Sequence, residues 1–327
     1  MGEERDKGMP TGASGNGMEY RKLGKTDLEV SILGFGTATL GDIYGAADPQ
    51  EAIRATHLAI ERGINFFDSS PYYGRNLSEE RLGQALAGWR DKVILATKTG
   101  RYGLNEFDFS AKRVYTSIDE SLKRLKTGYL DLFQAHDVEF GDFRQIVEET
   151  LPAMRKVQES GKARYIGITG YPPGFLLKIA QHVPVDTILS YCHYNLLNTR
   201  MDTNLTPFAK TNSVGLINAS ALHMGMLTEA GGPAWHPAPA TVREASRRIE
   251  HVCRRYGKSI SDVALRYSLD HPYVSCTLVG MSTQAEVEAN LESLQMKSDS
   301  SLVSEIRTAV GTAFDIDWPS GNPENNV

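Results

Sequence analysis

The chain has 327 residues, 41% of them hydrophobic and 23% charged, with a net charge of −5. That balance describes a globular protein with apolar residues for one large core or two moderate ones. Charges of both signs are dispersed, so no basic face suggests nucleic acid or an anionic membrane, and no apolar run approaches the ~18 residues needed to span a bilayer.

Residues 1–17 are polar and rich in glycine and charge, without the apolar core of a secretory signal. They are expected to form a disordered tail, with Met18 as the natural start and residues 18–327 as one domain. Cys192, Cys253 and Cys276 are odd in number and scattered. They predict a reducing, cytoplasmic setting and no disulfide framework.

From Leu28 onward, strand-like and helix-like segments alternate. Val30 to Gly36 is short, apolar and closed by glycine. Asp48, Pro49 and Glu51 then announce a helix by N-cap, first-position proline and capping box, and Gly63 stops it. A second strand over 64–67 precedes a helix near Ser78. A third over 93–97 ends at Lys98 and precedes a helix from Ser110, with Val114, Ile118, Leu122 and Leu125 at helical spacing. A fourth strand over 129–134 runs into Ala135-His136-Asp137. Next comes a long helix carrying Ile146, Leu151, Met154 and Val157, expected to kink at Pro152. Strands over 163–168, 187–191 and 214–219 follow, with helices around 175–180 and 204–210 after the first two. A Gly/Pro-rich loop over 222–239 leads to helices over 241–256 and 261–270. An eighth strand over 275–279 and a helix over 284–294 complete the series.

Eight βα units in about 260 residues predict a single-domain α/β (β/α)8 TIM barrel, for which ~250 residues is typical, with long loops at the C-terminal rim. The doubly wound dinucleotide fold is the rival. It needs G-x-G-x-x-G after the first strand; Gly34 and Gly36 are followed by Thr39, and no P-loop is present.

In a barrel, the C-terminal strand ends share one rim. Asp68, Lys98 and His136 fall at three successive ends, and Tyr73 lies in the loop after the second strand. A free phenol has a pKa near ~10. An adjacent ammonium is expected to lower it, a carboxylate to keep that ammonium charged, and an imidazole to orient the reacting oxygen. Alone, Asp68 reads as a helix cap, Tyr73 as a rim aromatic, Lys98 as a solvated charge and His136 as a core histidine. Together they read as proton transfer coupled to hydride transfer.

The segment Asp68-Ser69-Ser70-Pro71-Tyr72-Tyr73-Gly74, with Thr97-Lys98 and His136, resembles the aldo-keto reductase family from about Met18 to Leu294. The resemblance implies a nicotinamide-dependent oxidoreductase with Tyr73 as general acid/base. It also implies cofactor contacts from Gly36, Thr37 and Asp68, and from Thr169 and Gly170, where the family's Ser-Asn is altered. Further contacts are implied for Ser190 and Tyr191, where a glutamine is usual, and for a pyrophosphate-covering loop with Ser220, Leu222, Gly225 and Leu227. The eighth loop adds Gly280, Ser282, Glu286 and Asn290. Residues 280–290 contain no lysine or arginine, and Glu286 stands where an arginine often meets a 2′-phosphate. NAD is therefore expected over NADP, unless Glu286 and Glu288 are simply solvated helix surface.

Asn76-Leu77-Ser78-Glu79, Phe107 to Ala111, His136 to Gly141, Leu189 to Tyr194, Trp235 to Ala238 and Trp318 to Gly321 resemble the family's sugar 1-dehydrogenases. That likeness implies oxidation of an aldose at its anomeric hydroxyl, L-galactose foremost, with Trp235 and Trp318 joining Tyr73 and His136 around the sugar; plain loop packing is the other reading of the two tryptophans. An NADPH-dependent carbonyl reductase and a low-turnover cofactor-binding sensor subunit are the alternatives. His193, His223 and His236 lack a second ligand at metal spacing, so no metal is expected. The partner set expected is a small-molecule sugar, with the chain a monomer or weak homodimer.

Overall fold

The structure, a computed structural model, describes residues 18–327, and the expected N-terminal tail lies outside them. Eight parallel strands close into a barrel in chain order. They are β1 (Leu33–Gly36), β2 (Phe66–Asp68), β3 (Ile94–Thr99), β4 (Leu130–Ala135), β5 (Ala163–Gly170), β6 (Thr187–Tyr191), β7 (Gly215–Ala219) and β8 (Cys276–Gly280). Helices α1 (Pro49–Glu61), α2 (Leu77–Ala85), α3 (Ala111–Arg124), α4 (Leu151–Glu159), α5 (Pro173–His182), α6 (Arg200–Asn204), α7 (Thr206–Asn212), α8 (Ala240–Arg255), α9 (Ile260–Leu269), α10 (Gln284–Gln295) and α11 (Ser300–Val310) follow the strands.

Strand alternation sorts the side chains. Phe67, Leu95, Phe133, Ile166, Ile188, Leu216 and Val279 belong to one apolar cluster with residues of the surrounding helices. Phe66, Ile94, Leu132, Leu189, Ile217 and Leu278 form another, inside the barrel. Two residues further along the interior positions come Asp68, Ala96, Gln134 and Tyr191, and two beyond Ala96 comes Lys98. The lower interior is therefore oily and the upper interior polar. A hairpin of Tyr20–Lys22 with Glu29–Ser31 brings Leu23, Leu28 and Val30 into that inner cluster.

Several local expectations change. The first strand divides at Ile32, because Glu29–Ser31 pairs back on the hairpin while Leu33–Gly36 enters the barrel. The helix expected to kink at Pro152 widens instead into a π-turn over Ile146–Thr150, directly before α4. Proline has no N–H to donate, and the wider turn accommodates that missing bond. The helix expected around 204–210 is broken into α6 and α7, with Pro207 in the first turn of α7. Helix α11 had not been anticipated.

Candidate active site

The site is built where β2, β3 and β4 end. Asp68 is the last residue of β2, and the Thr37 amide and hydroxyl both donate to its carbonyl, each at 3.0 Å. The following turn brings Tyr73 back over the rim. This turn packs on the loop after β1 with almost no space between backbones: a Cβ on Gly74 would lie 2.4 Å from the Gly41 carbonyl oxygen, and Gly74 has φ +63°. Only glycine fits such an approach, and it fixes where Tyr73 stands.

Lys98 is 1% exposed and Asp68 2%. The ammonium spends its three donors on the Asp68 carboxylate, the Ser69 carbonyl at 2.7 Å and the Tyr73 hydroxyl oxygen at 3.3 Å. The other Asp68 oxygen accepts from Gln134 Nε2 at 2.8 Å. A buried pair satisfied in this way is destabilised by roughly 3–5 kcal/mol when one partner is removed. Because Lys98 donates to the Tyr73 oxygen, the phenol's own proton is left to point elsewhere.

The ionisation of Tyr73 differs from the expectation. Burial, then the carboxylates of Asp68 and Asp137, push its phenol well above the usual range, with Arg101 opposing. The net shift is therefore upward, opposite to the lowering expected from an adjacent ammonium.

His136 stands edge-on to the Tyr73 ring, with centroids 5.7 Å apart. The Tyr72 amide donates to Ser70 Oγ at 3.1 Å, and Ser70 Oγ lies 2.9 Å from His136 Nδ1. The Ser70 hydroxyl proton has no other acceptor among the described residues, and Nε2 faces the Asp137 carboxylate at 3.6 Å. The hydroxyl is therefore assigned as donor to Nδ1 and the ring proton to Nε2. Burial lowers the His136 pKa to about 3, with Asp137 opposing and the Lys98 and Arg101 cations reinforcing. The ring is therefore neutral across the physiological range and presents a donor.

The remaining predicted residues divide into two groups. Gly36 and Gly280 are cross-strand partners of β1 and β8, so neither puts a side chain on that part of the rim, and the Thr39 methyl lies beside Gly280. Ser220, His223, Met224 and Gly225 all have positive φ, and the His223 and Gly225 amides donate to the Ser220 and Leu222 carbonyls, so the loop after β7 is a tight, internally bonded turn. Two glycines side by side at the rim let a dinucleotide approach the backbone closely. Leu222 is half-buried on that loop, and Ser282 and Asn290 are half-buried at the eighth.

The second group has its polar atoms engaged within the protein. Thr37 Oγ1 lies 2.6 Å from Ser78 Oγ, Thr169 Oγ1 accepts from the Asp137 amide at 3.3 Å, Ser190 Oγ is 3.1 Å from His193 Nδ1, and the Tyr191 hydroxyl reaches Glu139 at 3.4 Å. A Cβ on Gly170 would meet Glu139 Oε2 at 2.6 Å, so a carboxylate fills the space beside it. Leu227 is fully buried and packs the β7 loop from beneath. Glu286 Oε2 accepts from the Ser282 and Thr283 amides and the Ser282 hydroxyl, and closes a capping box with Thr283 at the head of α10.

The two tryptophans differ. Trp318 is nearly buried, with Tyr171 stacked on it at 4.5 Å and His223 and His236 at its edges. It anchors the C-terminal segment. Trp235 is 55% exposed and meets Tyr44, itself half exposed, at 6.0 Å. Among the described residues no group of three or more His, Cys, Asp or Glu could hold a metal ion, all three cysteines are free, and no helix is long and apolar enough to cross a membrane.

Three polar residues had not been singled out as site residues. Gln134 orients Asp68. Arg101, on a two-stranded turn after β3, pairs with Asp137. Glu139 is wholly buried behind them, its pKa raised to about 8 by burial and then by the Asp137 charge.

Residues 32–310 match the model of the aldo/keto reductase family. The chain is 45% identical to L-galactose dehydrogenase of Arabidopsis thaliana, over 94% of this chain and 99% of that one. It is 31% identical to D-arabinose 1-dehydrogenase of Saccharomyces cerevisiae, over 94% and 98%. The holo form of an aldo-keto reductase from Bacillus halodurans superposes with a TM-score of 0.77 at 25% identity, covering 95% of this chain and all of that one. The chain belongs to the aldo/keto reductase family and is a nicotinamide-dependent oxidoreductase that acts on CH–OH groups of small molecules.

Proposed function

We propose that this protein oxidises the anomeric hydroxyl of an aldose, L-galactose foremost, to the lactone, with NAD as its coenzyme. The observation that carries the chemistry is the Tyr73 oxygen, 3.3 Å from Lys98 Nζ and beside a neutral His136. The 45% identity to a sugar dehydrogenase over nearly the whole chain supports the substrate class.

Gly36, Gly280 and the loop from Ser220 to Gly225 would hold the coenzyme, which when bound takes up the hydride released from C1. His136 Nε2–H donates to the substrate's C1 oxygen and sets its orientation. Tyr73, as a phenolate held by the hydrogen bond from Lys98, takes the hydroxyl proton of that oxygen and becomes the neutral phenol. Asp68 and Gln134 keep Lys98 aimed. In the reverse direction the neutral phenol returns the proton.

The preference for NAD is supported at the head of α10. Its exposed amides are already capped by carboxylates: Ser282 and Thr283 by Glu286, and Gln284 by Glu51 at 2.9 Å. A helix N-terminus usually attracts phosphate. Two carboxylates at this one repel a 2′-phosphate, and the cations nearby are engaged, Arg54 with Glu51 and Arg62 with Glu288.

A panel of aldoses tested with NAD+ and with NADP+, following absorbance of the reduced nicotinamide, tests the reading. L-Galactose with NAD+ is expected to give the highest kcat/KM. Faster turnover with NADP+, or activity confined to simple aldehydes, would overturn it.

A further inference from the structure

We propose that Asp137 recognises substrate directly, accepting a hydrogen bond from the hydroxyl on the carbon next to the reacting one, while Arg101 acts as a positioning residue. The inference rests on the sugar-oxidation reading above and extends it to the second carbon of the sugar.

Asp137 follows His136 and has φ +51°, a left-handed conformation that a non-glycine residue holds only where its surroundings enforce it. The Thr169 hydroxyl accepts from its amide, and its carbonyl accepts from the Phe140 amide at 3.0 Å. This backbone turns the carboxylate toward the same side as the imidazole. Asp137 Oδ2 lies 3.6 Å from His136 Nε2. Two hydrogen-bonding atoms at that spacing suit two oxygens on adjacent carbons. A C1 oxygen held by Nε2–H therefore puts the C2 hydroxyl against the carboxylate.

The carboxylate is pre-set for this role. Arg101 Nη1 donates to Oδ2, and the guanidinium lies 3.9 Å from the centroid of the Tyr72 ring and 5.3 Å from those of Phe107 and Phe140. That aromatic wall holds the cation still. Among the described residues nothing donates to Asp137 Oδ1 and nothing accepts from Arg101 Nη2. A nearly buried ion pair with unused hydrogen-bonding capacity beside the reacting atoms is costly to keep unless a polar ligand completes it.

The test compares L-galactose with its 2-deoxy analogue in the wild type, Asp137→Asn and Arg101→Met, with circular dichroism and coenzyme binding as controls for folding. Wild type should favour the 2-hydroxy sugar in kcat/KM by about 10- to 100-fold, the range of one hydrogen bond to a charged group. Asp137→Asn should reduce that preference to under about threefold, the loss falling on the 2-hydroxy sugar. Arg101→Met should erode the preference in part and raise KM more than it lowers kcat. If Asp137→Asn does not fold, Asp137→Glu is read by the same criterion.

A wild type indifferent to the 2-hydroxyl overturns the inference without any variant. So does an Asp137→Asn enzyme that keeps the preference or loses both sugars equally, which would make the pair a brace for the rim. A wild type that oxidises no aldose overturns the sugar-oxidation reading and this inference together.

Discussion

Glu139→Gln is the substitution whose effect can be worked out furthest from the structure. Glu139 Oε1 accepts from the Tyr171 amide at 3.2 Å, the Ser320 hydroxyl at 3.0 Å and the Tyr191 hydroxyl, while Oε2 is buried without a partner. Its pKa rises from 4.5 to about 8, so the folded protein holds a proton that the unfolded chain releases. For such a group, stability is fully present below the unfolded pKa, falls as pH rises toward the folded value and is lost above it. At 1.36 kcal/mol per unit, the penalty is about 1 kcal/mol at pH 5 and about 5 kcal/mol at pH 9. The larger figure is an upper bound, because any local opening that admits water to the carboxylate relieves part of it. Glutamine keeps the shape and removes the proton. Urea unfolding of both proteins at pH 5 and pH 9 should show the variant gaining on the wild type by a few kcal/mol between the two. A difference that is the same at both pH values would refute the argument.

Two further predictions concern the rim. Oxidation needs the Tyr73 phenolate, and that phenol titrates well above its usual range, so log kcat/KM for oxidation should climb with pH without a plateau up to about pH 10. A plateau beginning near neutrality would assign the base elsewhere. Ser70→Ala removes the group that fixes the His136 proton on Nε2, and kcat should fall about tenfold, the size of one net hydrogen bond, with little change in unfolding midpoint. Unchanged kcat would mean that the imidazole orients itself.

The tetrad was legible because barrel topology turns strand ends into neighbours: Asp68, Lys98 and His136 each end an apolar run, and period-two alternation points them inward. Other parts depended on contacts that the sequence does not encode locally. Arg101 finds Asp137 through a short two-stranded turn whose register is not visible in its residues. Glu139 reads as an ordinary surface glutamate until the segment around Ser320, 181 positions later, folds over it. Ser190, Thr169 and Tyr191 were expected to face a coenzyme, but their polar atoms meet partners three to 52 positions away. Helix α11 is different, since its signals were present. Asp299 caps it, accepting from the Ser301 and Leu302 amides, and Leu302, Ile306 and Val310 repeat at four-residue spacing along its buried face.

The central claim is that Tyr73 moves the proton while the rest of the rim holds it in place. Its most direct test is Tyr73→Phe, with turnover of L-galactose and equilibrium binding of NAD+ measured on the same preparation. The account predicts that kcat falls by about 10²- to 10⁴-fold while the dissociation constant of the coenzyme changes by less than about threefold. Turnover within about tenfold of wild type, with coenzyme binding intact, would contradict it.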